Sequence, residues 1–170
     1  MSTPQAQRGT APASALAQRL ASLALLIAGL ALIILAVVQI WQVFARYVLN
    51  QPPAWTEPVA VLLMNVAMML SAASAVQAEA HFGFFIGVSA SPPRLRRVLL
   101  ALSRALQCGV GLLFLVWGAR LAAANWDASM AGLALPQGAV FLPLCLGGLL
   151  VALFAAERLA LGGDPYRGAD

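Results

Sequence analysis

Arg46-Tyr-Val-Leu-Asn-Gln-Pro-Pro-Ala-Trp-Thr-Glu57 is the stretch whose reading decides the fold. It is short, polar and charged at both ends, and it separates two long uncharged runs. No charge occurs back to Arg19 or forward to Glu79. Pro52 and Pro53 lack amide donors and drive the residues before them out of helical geometry, so the chain turns here. Tyr47, Asn50, Gln51 and Trp55 are residue types that a membrane–water interface carries.

The composition around this hinge fixes the class. Hydrophobic residues make up 62% of the chain and charged residues 9%, against about 25% charged in an ordinary soluble domain. A water-soluble fold of this length has no means of hiding so much apolar surface. The expectation is an all-α integral membrane protein with the lipid bilayer as its first partner. The net charge is +4 and all the basic residues are arginine. Nucleic-acid binding would need them gathered on a folded basic face. Instead they stand at the ends of apolar runs, where arginine orients helices in the bilayer. No nucleic-acid partner is expected.

Outward from the hinge on its N-terminal side, helix 1 is expected over about 20–44, after a flexible tail at 1–18. The run is too long for the apolar core of a signal peptide, about 7–15 residues, and no cleavage site follows it. On the other side, helix 2 is expected over about 58–79. Thr56 would be its N-cap, Glu57 would meet the positive end of its dipole, and Pro58 would sit in the first turn. Ala67, Ser71 and Ala75 are four apart and mark a close-packing face, and Asn65 is placed to hydrogen-bond a neighbouring helix.

Residues 80–94 are too short to span a bilayer and too apolar for open water, so they read as an interfacial connector. This connector carries His81, the one histidine of the chain. A haem or metal site would need further ligands, so a structural or partner-contacting role is expected and no cofactor. Helix 3 is expected over about 95–124, with Ala101, Ala105 and Gly109 as its packing face and Arg104 snorkelling from its first turns. Helix 4 is expected over about 137–161. Pro136 opens this segment, and Pro143 either kinks the helix or marks its true start. Gly148, Ala152 and Ala156 give it a packing face, and 162–170 form a second tail. Cys108 and Cys145 are isolated, so a dithiol redox centre is not indicated.

With both termini on one side, that side holds Arg8, Arg19, Arg94, Arg96, Arg97, Arg158 and Arg167, and the other only Arg46 and Arg120. The positive-inside rule then makes both termini cytoplasmic. No helix carries an acidic residue at mid-membrane depth, which is thin material for a complete carrier. The fragment Gly87-Val-Ser-Ala90 lacks the context of a hydrolase nucleophile. A membrane anchor of a redox complex and a small homo-oligomeric carrier are the alternative classes, and the missing ligand sets and buried carboxylates weigh against both.

Arg46-Tyr47-Val48-Leu49-Asn50, then Pro53 and Trp55-Thr56-Glu57, resembles the small, DctQ-like membrane subunit of tripartite ATP-independent periplasmic (TRAP) transporters. His81 after helix 2, and Leu133-Ala-Leu-Pro136 followed by Phe141-Leu-Pro143, are similar to later landmarks of that family. Pro58 stands where the family usually has a second acid. The resemblance implies four transmembrane helices in a bacterial inner membrane and no enzymatic activity. It also implies two protein partners. A periplasmic solute-binding protein captures an organic acid, and a large multi-helix permease moves it on an ion gradient. The small subunit scaffolds the permease, with Arg46, Asn50, Trp55, Glu57, Asn65, His81, Pro136 and Pro143 as structural or partner-contacting residues.

Overall fold

The computed structural model describes residues 15–78 and 93–161. Four helices among them are long and apolar enough to cross a membrane. They are α1 (Ala15–Tyr47), α2 (Thr56–Gln77), α3 (Pro93–Ala124) and α4 (Leu142–Leu161), with a short 3-10 turn, Gln137–Phe141, before the last. His81, the connector as far as residue 92, the first fourteen residues of the expected tail at 1–18, and the expected tail at 162–170 lie outside the described residues.

Each helix follows its apolar run, with instructive shifts at the ends. α1 starts at Ala15, so residues expected in the tail are helical, and it continues past residue 44 to Tyr47. α2 starts two residues earlier than expected, at Thr56. Thr56 is not its N-cap: Trp55 holds that position without a side-chain bond. The Thr56 hydroxyl instead donates back to the Pro53 carbonyl at 2.8 Å, in a fully buried position. Pro143 falls in the first turn of α4, where a missing amide costs nothing, so the α-helix properly begins there, after the 3-10 turn.

The helices form an open row. α1 packs on α2, α2 on α4, and α4 on α3, while the two edge helices make no substantial contact with each other. The spatial order is therefore α1–α2–α4–α3, with the last helix of the sequence in the interior.

The α1–α2 seam is lined with alanine. Ala17, Ala24 and Ala31 are buried at seven-residue intervals along α1, Ala45 follows two such intervals later, and Ala28 is buried between them. On α2 the buried residues Ala60, Ala67 and Ser74 repeat at the same interval. A strict seven-residue repeat keeps a seam facing one neighbour along the length of two helices. Ser74 donates across it to the Ala21 carbonyl at 2.9 Å.

α4 touches a neighbour on each side through consecutive glycines. A Cβ on Gly147 would collide with the Met69 side chain of α2. One on Gly148 would lie 2.7 Å from the Gly111 carbonyl oxygen of α3, and one on Gly111 would lie 2.6 Å from the Ala152 nitrogen. Such backbone-to-backbone approach is what small residues permit where lipid supplies no hydrophobic drive.

The packing face of α3 differs from the expected one. Ala101, Ala105 and Gly109 are exposed, and nothing lies within 4 Å of a Cβ placed on Gly109. The buried face is Arg104, Gly111, Gly118 and Ala122. Arg104 is only 6% exposed, so it is packed within the protein and does not snorkel. On α4, Gly148 and Ala152 pack as expected, while Ala156 is exposed.

Candidate functional site

The hinge is held by its own backbone. Past Tyr47, the Val48 amide donates to the Phe44 carbonyl at 2.8 Å and the Gln51 amide to the Ala45 carbonyl at 3.1 Å. Between them Asn50 takes a left-handed conformation, φ 56°. Asparagine tolerates this region far better than branched residues do. Pro52 and Pro53 then carry the chain to the Thr56 turn. Glu57 lies exposed in the first turn of α2, where a carboxylate is favoured by the helix dipole.

A second loop docks on this hinge, which the sequence alone did not indicate. Residues 125–137 fold back on themselves: Met130 donates to the Leu135 carbonyl at 2.9 Å and Gln137 to the Ala128 carbonyl at 2.7 Å. Ser129 and Pro136 form an isolated antiparallel bridge, and Pro136 is extended, ψ 139°. At the tip Gly132 has φ 71°, and a Cβ there would stand 2.8 Å from the Trp55 nitrogen. Only glycine satisfies both the backbone and the contact. Asn65 ties the same region from below, donating to the Val140 carbonyl of the 3-10 turn at 3.2 Å.

Hinge and loop together leave three open grooves at this end. One of about 580 Å³ lies between α1 and α2, walled by Gln39, Gln42 and Arg46 on one side and Glu57, Val61 and Met64 on the other. One of about 420 Å³ lies between α2 and the second loop and is lined by Glu57, Ser129, Met130 and Gln137. Glu57 therefore stands on the ridge between the two. The third, about 590 Å³, runs under Trp41, Leu49, Gln51 and Trp55 and is mainly apolar. Trp41, Trp55, Trp117 and Trp126, all the tryptophans of the chain, lie at this end. Trp117 has the Arg120 guanidinium 5.8 Å from its ring centre, and Trp41 is paired with Phe44 at 6.0 Å. Such a belt suits an interface where rings are half in lipid and half in water.

Of the residues singled out from sequence, the structure brings Arg46 and Glu57 to one groove, while Asn50 forms the left-handed turn of the hinge and Trp55 lines the third groove. Asn65, Pro136 and Pro143 support the second loop and the start of α4 from within. Among the described residues, no group of three or more His, Cys, Asp or Glu is placed to hold a metal ion.

The opposite end holds a polar contact that sequence reasoning missed. Arg158 of α4, 5% exposed, donates to the Gln77 carbonyl at 2.6 Å and to the Gln77 side-chain oxygen at 3.3 Å. A guanidinium on the last carbonyls of α2 meets the negative end of that helix. The available signal was an arginine one turn from the end of an apolar run whose neighbouring helix ends in a polar residue.

The family model for tripartite ATP-independent periplasmic transporters, DctQ component, matches residues 35–162. This chain belongs to the DctQ family. The match takes in the hinge, both faces of the α1–α2 groove, the second loop and the whole of α3 and α4. Among curated proteins, none matches this DctQ-family chain in sequence. The family and the four apolar helices identify a small permease subunit of a TRAP transporter, multi-pass in a bacterial inner membrane.

Proposed function

We propose that this chain is the non-catalytic scaffold of its transporter, bracing a large permease subunit that takes up an organic acid on an ion gradient. The observation that supports this reading is the open row, whose edge helices α1 and α3 leave long apolar faces uncovered. Among the described residues, the hinge end brings Arg46, Asn50, Trp55 and Glu57 to one end of the row. The arginine distribution favours that end facing the periplasm. The two chain termini and the connector with His81 would then face the cytoplasm. A periplasmic solute-binding protein that delivers the acid would meet the hinge and the second loop first.

Purification of the tagged chain in mild detergent tests this, with a large TRAP permease subunit and a periplasmic binding protein co-expressed. The expected result is recovery of a larger polytopic permease, and uptake in vesicles only when both subunits and the binding protein are present. Uptake by vesicles containing this chain alone would overturn it. A reporter fused after Gln51 is expected on the periplasmic side, and a cytoplasmic signal would reverse the topology.

A further inference from the structure

The α1–α2 groove presents a conflict between its chemistry and its depth. α1 is 33 residues long, so at about 1.5 Å per residue it exceeds a hydrocarbon core of about 30 Å. Centred between Arg19 and Arg46, such a core covers about twenty residues, which takes in Gln39 and reaches Gln42. Gln39 is exposed and Gln42 half-buried, and both line the groove with Arg46 above them. They recur at three- and four-residue steps, so they form one stripe. The facing wall is a second stripe, Glu57, Val61 and Met64. Primary amides turned to lipid at this depth lose the hydrogen bonds that water would give them.

We propose that this groove seats a transmembrane helix of the large permease, whose polar side chains bond Gln39 and Gln42 and whose outer end meets Arg46 and Glu57. The proposal rests on the scaffold reading given above. Two observations favour this occupant. Arg46 and Glu57 line the same groove with opposite charges and no ion pair joins them, which leaves each open to a counter-charge from a partner. An anionic lipid headgroup would suit Arg46 but be repelled by the Glu57 carboxylate. The family match begins at residue 35, so it covers every lining residue of the groove, whereas the equally exposed first half of α1 lies outside it.

The test is site-specific photo-crosslinking in the co-expressed transporter, with p-benzoylphenylalanine at Gln39, at Gln42 and at Leu26 as control, and products identified by mass spectrometry. Crosslinks to the large permease from Gln39 and Gln42 but not from Leu26 are expected. Crosslinks to lipid, to a second copy or to the binding protein would overturn the proposal, as would equal capture of the permease from Leu26. If the wild-type chain brings down no large permease, the scaffold reading fails and this proposal with it. If the permease co-purifies but the two glutamine positions fail to capture it, only the groove assignment fails. A second measurement uses the double variant Gln39→Leu/Gln42→Leu. It is expected to keep its helicity and thermal midpoint in detergent while retaining the permease roughly tenfold less well, the scale of one or two interhelical hydrogen bonds. Unchanged retention would also overturn the proposal.

Discussion

Asn50 has a left-handed backbone, the one such case among the described residues other than glycine. Its substitution separates backbone geometry from side-chain chemistry. Asn50→Gly should leave thermal stability in detergent near the wild-type value, because glycine adopts this conformation freely. Asn50→Val should lower stability by about 1–2 kcal/mol through steric strain at Cβ. Equal losses in both would mean that the amide itself holds the hinge. At the other end, Arg158→Ala should cost about 1.5–3 kcal/mol, since it removes charge-assisted bonds to Gln77. Arg158→Lys should recover part of that loss, because a point charge replaces the guanidinium fork. Thermal unfolding followed by circular dichroism reads all four variants. At this scale the sequence was informative where chemistry is unusual. Asn65, a lone amide in an apolar helix, does reach a neighbouring carbonyl. It was uninformative where the decisive fact is a distant contact, as with Gly132 beneath Trp55.

Between helices, the choice of packing face was the least legible feature. The helices are so rich in alanine and glycine that several four-residue stripes can be drawn on each. On α3 the stripe Ala101–Ala105–Gly109 is exposed and the buried one includes Gly111 and Gly118. A spacing of seven, seen also in Ala17, Ala24 and Ala31, discriminates better than a spacing of four. It stays on one seam over the whole length of a helix, whereas a spacing of four drifts off it. Paired glycine variants test the assignment. Gly111→Val and Gly148→Val should each destabilise the protein by about 1–3 kcal/mol or more through overpacking. Gly109→Val should be nearly silent, because its Cβ would enter open space. Comparable damage from Gly109→Val in the isolated chain would reject the face.

For the whole molecule, class and helix number were readable because apolar runs broken by prolines and arginines have few other meanings. The spatial order was not, since chain order by itself suggests neighbours in sequence. Only the two-sided burial of α4, with Gly147 against α2 and Gly148 against α3, makes the last helix central. That placement has a consequence for how the protein is made. Synthesis delivers α1 and α2 first, and their alanine seam can close as a hairpin while the rest is still on the ribosome. α3 enters next with no seat, because the helix it packs on does not yet exist. Its buried face, including Arg104, must wait in the bilayer or the translocon until α4 arrives and slots between two helices already inserted. A chain truncated after Gly138 should therefore keep a protease-resistant α1–α2 hairpin and lose α3 to degradation. Stable retention of α3 in pulse-chase would show that it finds its place without α4. The row is written in one order and assembled in another, and its last helix, Leu142–Leu161, is the part that joins the two halves.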